Sequence, residues 1–203
     1  MRKKKNALVR LIDGALSDVL VSRARRAIAR LGKERLRESY FTTFWLADGA
    51  RPGNAVEEAV LALWRRAGER CSGVEWWIGR TWTTRVPIEF HFDQDVKGKR
   101  RRHPKRSSVF FFNAVRGGQL AVTDATPGRN ATRLQSVKPR RNRYALFAGN
   151  LLHGVLDANG NTPAGALPGP RGRLRVTLVV NFWDQRPTGV RSWEESRVYR
   201  ALR

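Results

Sequence analysis

The sequence predicts an α+β chain, with helices first and a β-barrel or β-sandwich body after them. Three observations carry this. Apolar residues recur at helical spacing in two stretches before position 73. After Gly73 the texture changes to short runs rich in Val, Phe, Trp and Thr. Turn signals punctuate those runs: Arg116-Gly117-Gly118, Pro127-Gly128, Gly149-Asn150 and Asn159-Gly160-Asn161. The 203 residues suit one large domain over 1–203, and an apolar fraction of 41% with 7 Trp and 9 Phe is enough to bury a core.

Residues 1–6 read as a solvated basic tail, and 7–73 as a mainly helical N-terminal part. Leu16, Val19, Leu20, Ala27, Ile28 and Leu31 predict an amphipathic helix over 14–31, stopped near Gly32. Its other face carries Arg23, Arg25, Arg26 and Arg30. Residues 41–46 read as an early strand. Asn54 followed by Glu57 is a capping-box pattern, and Val56, Val60, Leu63, Trp64 and Ala67 form the stripe of a second helix ending near Cys71-Ser72-Gly73. Strands are expected over 74–83, 86–93, 107–113, 120–123, 144–147, 152–157 and 173–182, which sets the β body at 74–183 and leaves 184–203 as an extension. Two loops stand out. Residues 97–106 are strongly basic, and 158–172 hold seven Gly or Pro.

The 40 Lys and Arg against 17 Asp and Glu give a net charge of +23, a field that attracts polyanions. Nucleic acid, an acidic carrier protein, an acidic peptide and phosphorylated small molecules all fit it. So does plain arginine enrichment of the kind a GC-rich genome produces. A single cysteine, Cys71, excludes an internal disulfide framework and a multi-cysteine zinc site. No stretch approaches the roughly 20 uncharged apolar residues of a membrane span. The basic start is followed at once by further charges, against a secretory leader. A cytoplasmic location is expected.

The chemistry is concentrated near position 91. On a strand, Ile88, Phe90 and Phe92 share one face and Glu89, His91 and Asp93 the other. His91 and Asp93 then point the same way, close enough to bind one cation. The chain has three histidines. His103 lies among arginines, where a cation is repelled. His153 lies in an apolar strand-like run and is the better third ligand. Two histidines and one carboxylate form the facial triad of non-haem Fe(II) oxygenases. The competing reading is a chance H-x-D with a hydrogen-bonded core histidine. Further on, Arg173, Arg175 and Thr177 alternate with Leu174, Val176 and Leu178, so one strand face carries guanidinium and hydroxyl. An inward arginine requires an anion; a carboxylate cosubstrate, an internal partner such as Glu89, or water would answer it.

Taken in order, several elements resemble the 2-oxoglutarate- and Fe(II)-dependent dioxygenases, in particular their prolyl-hydroxylase-like branch. They are His91-Phe92-Asp93, Val109 to Asn113, Gly117-Gly118-Gln119-Leu120, Ala148-Gly149, His153-Gly154-Val155 and Arg175-Val176-Thr177. The resemblance covers roughly 74–183. It implies a double-stranded β-helix, a jelly-roll or cupin-like barrel, with the N-terminal helices packed on it. It also implies Fe(II) held by His91, Asp93 and His153, and the distal carboxylate of the cosubstrate 2-oxoglutarate held by Arg175 and Thr177. The stretch from His153 to Arg175 is longer than the family's usual spacing, which keeps Arg173 and Arg171 open for that role. Trp82 or Arg80 falls where the family often has a further cosubstrate contact. The implied reaction couples oxidative decarboxylation of 2-oxoglutarate to hydroxylation of a substrate, first an amino-acid residue of a peptide, protein or carrier-bound molecule and second a nucleic-acid base. Lys99, Arg100, Arg101 and Arg102 are the candidate substrate contacts at the barrel mouth. The alternatives from other classes are a basic nucleic-acid-binding β protein without metal chemistry, and a cupin-type metalloenzyme without 2-oxoglutarate.

Overall fold

The computed structural model describes residues 7–36, 41–82, 89–97, 100–162 and 173–203. The basic tail, Lys99, Arg171, positions 86–88 of the expected HxD strand and most of the Gly/Pro-rich loop lie outside them. The elements run β1 (Arg10–Asp13), α1 (Asp18–Arg30), β2 (Phe44–Ala47), α2 (Ala55–Ala67), β3 (Gly73–Trp82), β4 (Arg106–Phe111), β5 (Gln119–Thr123), β6 (Leu134–Val137), β7 (Arg143–Ala148), β8 (His153–Leu156), β9 (Leu174–Trp183) and a 3₁₀ turn at Arg200–Leu202.

Both helices start where a side chain can answer the free N–H groups of the first turn. Ser17 Oγ accepts from the Leu20 amide at 3.3 Å. Asn54 Oδ1 accepts from Val56 and Glu57, at 2.9 and 3.0 Å. Glu57 Oε2 reaches back to the Gly53 amide at 2.8 Å, one residue short of the expected capping box. The second helix stops at Ala67 because Gly68 turns left-handed, with φ of 73°. That is earlier than the apolar pattern indicated. Likewise α1 begins at Asp18 and not at 14, since residues 10–13 are an edge strand on β7.

The strands form two antiparallel sheets, ordered β1-β7-β4-β9-β3-β2 and β6-β5-β8. One face of the six-stranded sheet carries Trp76, Ile78, Phe110, Tyr144, Leu178 and Phe182 and packs against α1 and α2. Its opposite face, through Val109, Phe111, Ala145 and Phe147, packs against Leu120, Val122 and Val137 of the smaller sheet. Two facing sheets with helices on the outer side of the larger one form a double-stranded β-helix of the α+β class, as expected. Strand β6 has no signal in the sequence: it is an edge strand, and its Leu134 is 53% exposed. Among the described residues no helix is long and apolar enough to cross a membrane.

Trp76 anchors the helix-facing core. It is fully buried, with its ring 4.8 Å from Phe44. Trp76→Ala should cost about 3–5 kcal/mol in urea denaturation. Trp76→Phe should cost less, because it keeps a large aromatic ring in the same site and leaves a smaller cavity.

Candidate metal centre

The HxD segment does not run as a full strand over 89–93. It joins the smaller sheet at one point, where the His91 amide donates to His153 O at 2.9 Å and the His153 amide to His91 O at 3.0 Å. This pairing sets the two imidazoles side by side, with ring centroids 4.5 Å apart. Asp93, two residues on, returns to the same side. His91 Nε2 lies 3.6 Å from Asp93 Oδ1, and His153 Nε2 lies 3.4 Å from Asp93 Oδ2. Adjacent ligands on a first-row metal, each about 2.1 Å from it, stand roughly 3 Å apart, so a modest closure of the three groups would seat one ion. Among the described residues this is the group of His, Cys, Asp and Glu whose donor atoms converge, all within 4.8 Å of one another.

The orientation of each ligand is fixed from behind. Both Nδ1 atoms bond main-chain carbonyls two residues upstream, His91 to Glu89 at 2.8 Å and His153 to Leu151 at 2.9 Å. Each ring therefore presents Nε2 to the centre, the arrangement by which outer hydrogen bonds orient metal-binding histidines. Ser107 Oγ on β4 donates to Asp93 Oδ2 at 2.6 Å. His103 stands outside this converging group, and it has a contact the sequence did not reveal. Its Nδ1 bonds the Asp93 carbonyl at 2.8 Å, so the later part of the basic loop props the HxD backbone.

The electrostatics suit a cation. Burial opposes the Asp93 charge, but His153 and His91 together with the Ser107 hydrogen bond outweigh it and hold the carboxyl well below its usual range. Burial pushes the His153 imidazole down, toward the neutral form that binds metal. Burial also works against charge on His91, but the Asp93 hydrogen bond and charge outweigh it and raise that group. The side chain of His91 is 43% exposed and that of His153 9%, so the centre opens on the His91 side.

From the triad a pocket runs between the sheets, past Trp77, Val109, Leu120 and Val179, to Arg175 and Thr177 on β9. Arg175 is 3% exposed. Its Nε donates to Gly118 O at 2.9 Å, Nη1 meets Thr177 Oγ1 at 3.4 Å, and the guanidinium lies over the Phe111 ring. Among the described residues no carboxylate pairs with it, and burial pulls its pKa down to about 10. Two glycines make room for the pair. A Cβ on Gly118, whose φ is +64°, would sit 2.6 Å from Arg175 Cδ, and one on Gly79 would sit 2.4 Å from Thr177 Oγ1.

The other candidates divide cleanly. Arg173 is exposed, which leaves Arg175 as the inward arginine of β9 among the described residues. Arg80 faces the helices and donates to Gly32 O at 2.8 Å and to Glu34 O, while Trp82 does not line the pocket. Arg100 and Arg101 are exposed. Arg102 is tied down instead, with Nη2 2.7 Å from the buried Asp95 carboxylate and Nη1 bonded to Gln185. Trp77, on the same strand as the buried Trp76, lines the pocket. Asn181 also faces inward, paired in register with Glu75. Burial pushes Glu75 up to about 7, and both polar atoms of the Asn181 side chain are buried without a partner.

Fold and side-chain cluster together define a structural class: a double-stranded β-helix in which two histidines and one carboxylate converge as a group that could hold a metal ion. No protein-family model and no curated protein sequence matches the chain. Solved structures do. A prolyl-4-hydroxylase of Pseudomonas putida aligns with a TM-score of 0.51 at 18% identity, covering 88% of this chain and 86% of that one. HygX of Streptomyces hygroscopicus, solved with nickel, 2-oxoglutarate and hygromycin B, aligns with 0.54 at 14%, covering 92% and 85%. A Trichoplax adhaerens prolyl hydroxylase in complex with a hypoxia inducible factor peptide fragment aligns with 0.50 at 11%, covering 87% and 84%. The chain thus has the fold of the prolyl-hydroxylase-like 2-oxoglutarate oxygenases.

Proposed function

We propose that the protein is an Fe(II)- and 2-oxoglutarate-dependent dioxygenase that hydroxylates an amino-acid residue of a peptide, protein or carrier-bound substrate. The observation that carries the reading is a single pocket with three metal-ligand side chains at its mouth and a buried guanidinium lacking a carboxylate partner at its other end. 2-Oxoglutarate, a keto diacid, carries a group suited to each end. Its distal carboxylate suits the planar fork of Arg175 with the Thr177 hydroxyl beside it, and its keto-acid end suits a metal with open positions.

Bound Fe(II) with 2-oxoglutarate supplies O₂ activation coupled to decarboxylation. The chain's own residues do the rest. His91, Asp93 and His153 would hold the metal. Ser107 and the backbone carbonyls of Glu89 and Leu151 keep those ligands aimed. Trp77, Val109, Leu120 and Val179 wall the passage with apolar surface that excludes water. The opening beside His91 is the way in for a large substrate.

Anaerobic addition of Fe(II) and 2-oxoglutarate should produce a weak visible charge-transfer band that is absent in His153→Ala. No band at saturating ligand would reject the oxygenase. The peptide complex of the Trichoplax enzyme supports a peptidyl substrate. The net charge of +23 favours a second reading, a nucleic-acid-acting oxygenase. Succinate release stimulated by peptide pools but not by oligonucleotides would decide for the first, and the reverse for the second.

A further inference from the structure

We propose that the cleft between α1, the start of α2 and the C-terminal turn is a binding site for phosphate groups, separate from the metal centre. None of its lining residues lines the pocket at the triad. The cleft is an open depression of about 380 Å³. The basic face of α1, noted in the sequence and unused by the metal site, supplies one wall. Arg23, Arg26 and Arg30 follow at spacings of three and four, so they stand on one side of the helix about one turn apart. Arg203 enters from the C-terminal segment, stacked over Trp193 at 5.7 Å.

The charges are not cancelled within the cleft. Glu58 is its one acidic side chain, and it pairs with Arg23 at 2.9 Å. Arg30 spends Nε and Nη2 on main-chain oxygens of residues 201–203, which fix its guanidinium in place. Arg26 has no partner among the described residues. The third wall is the N-terminus of the 13-residue helix α2, the positive end of its dipole. Asn54 caps it with Oδ1 and is 7% exposed. Its Nδ2 is buried with no acceptor among the described residues, which is unfavourable.

Donors therefore come from three elements and from directions that are not coplanar. A carboxylate offers two oxygens in one plane. A phosphate offers at least as many acceptors in a tetrahedron and suits this set better. Arginines placed one per turn also suit a chain of phosphates, whether a free polyphosphate or a nucleic-acid backbone.

Titration calorimetry of the full chain with inorganic tripolyphosphate tests the proposal. Arg26→Glu should weaken binding by about tenfold or more. Asn54→Asp is the sharper variant. It keeps the capping oxygen and adds a negative charge at the cleft wall, so binding should fall as far; burying that charge should lower the melting temperature, so affinities are compared well below the melting range of both proteins. A charge reversal of Arg100 and Arg101 in the basic loop should leave binding unchanged. Competition by a single-stranded oligonucleotide would assign the phosphates to nucleic acid, and its absence to a free phosphorylated ligand. Native affinity in both cleft variants, or an equal loss in the loop variant, would overturn the site. Displacement by polyglutamate as effectively as by phosphate would overturn the ligand class.

Discussion

Arg175→Leu is expected to keep its fold and its metal while losing 2-oxoglutarate. The guanidinium is 3% exposed and lies in the triad pocket without a carboxylate partner among the described residues. Removing one member of a buried, hydrogen-bonded charge pair costs roughly 2–5 kcal/mol, so affinity for 2-oxoglutarate should fall by about 30-fold to several thousandfold. Anaerobic titration of the charge-transfer band measures it. Arg175→Lys should recover little, because a point charge cannot reproduce the planar fork. Gly118→Ala should mimic the loss in part, since its Cβ would strike Arg175 Cδ. The stability effect has the opposite sign. Without cosubstrate, the native protein carries a buried cation that desolvation disfavours. Arg175→Leu should therefore melt at the same temperature or higher when ligand-free, and lose the upward shift that 2-oxoglutarate gives the native chain. A large fall in ligand-free stability would mean that Arg175 is a structural residue.

How far the sequence reaches depends on where the physics is local. The alternation of His91 and Asp93 on one face needs only the period of extended chain, and it persists although the segment makes a single bridge. His153 could be chosen over His103 because an arginine-rich loop is a poor place for a cation. That argument predicts the ligand but misses the contact from His103 Nδ1 to the Asp93 carbonyl, which depends on how the loop folds back. The inward arginine of β9 could not be chosen by spacing, since 173 and 175 share a face. What separates them is depth along the strand, which is tertiary. Ser107 had no signal at all: a serine at the start of an apolar strand reads as a boundary, and only the crossing of β4 beneath the HxD segment makes it a partner of Asp93. Within the basic loop the sequence does not separate tethered from free arginines: Arg100 and Arg101 are exposed. Arg102 is held by Asp95, itself bonded by the Thr188 amide and hydroxyl at 3.0 Å each.

Metal affinity should rise with pH, while the stability of the metal-free protein falls over the same range. Without metal, Asp93 raises His91 above its ordinary value of about 6.5. A raised group stabilises the fold below its unfolded pKa, and that contribution is lost as pH rises through the folded one. The depressed Asp93 contributes above its unfolded value of about 3.9 and stops contributing as pH falls through its folded value. The metal-free protein gains most from the pair between those limits. A metal must displace the His91 proton, so its apparent affinity should climb about tenfold per pH unit below the His91 pKa and level off above it. Co(II) titrations across pH, beside melting curves without metal, would show the two trends diverging. Ser107→Ala should weaken Co(II) binding by about 10- to 100-fold, the range for outer partners of metal ligands. Asp93→Asn should weaken it further, and it should also reduce the decline in metal-free stability above about pH 6.5, since nothing then holds a proton on His91 against burial; the raised Glu75 carboxyl supplies the decline that remains. If Asp93→Asn bound Co(II) like the native chain, the two histidines would not be sharing a metal with that carboxylate, and Arg175 would be left with no cosubstrate to meet.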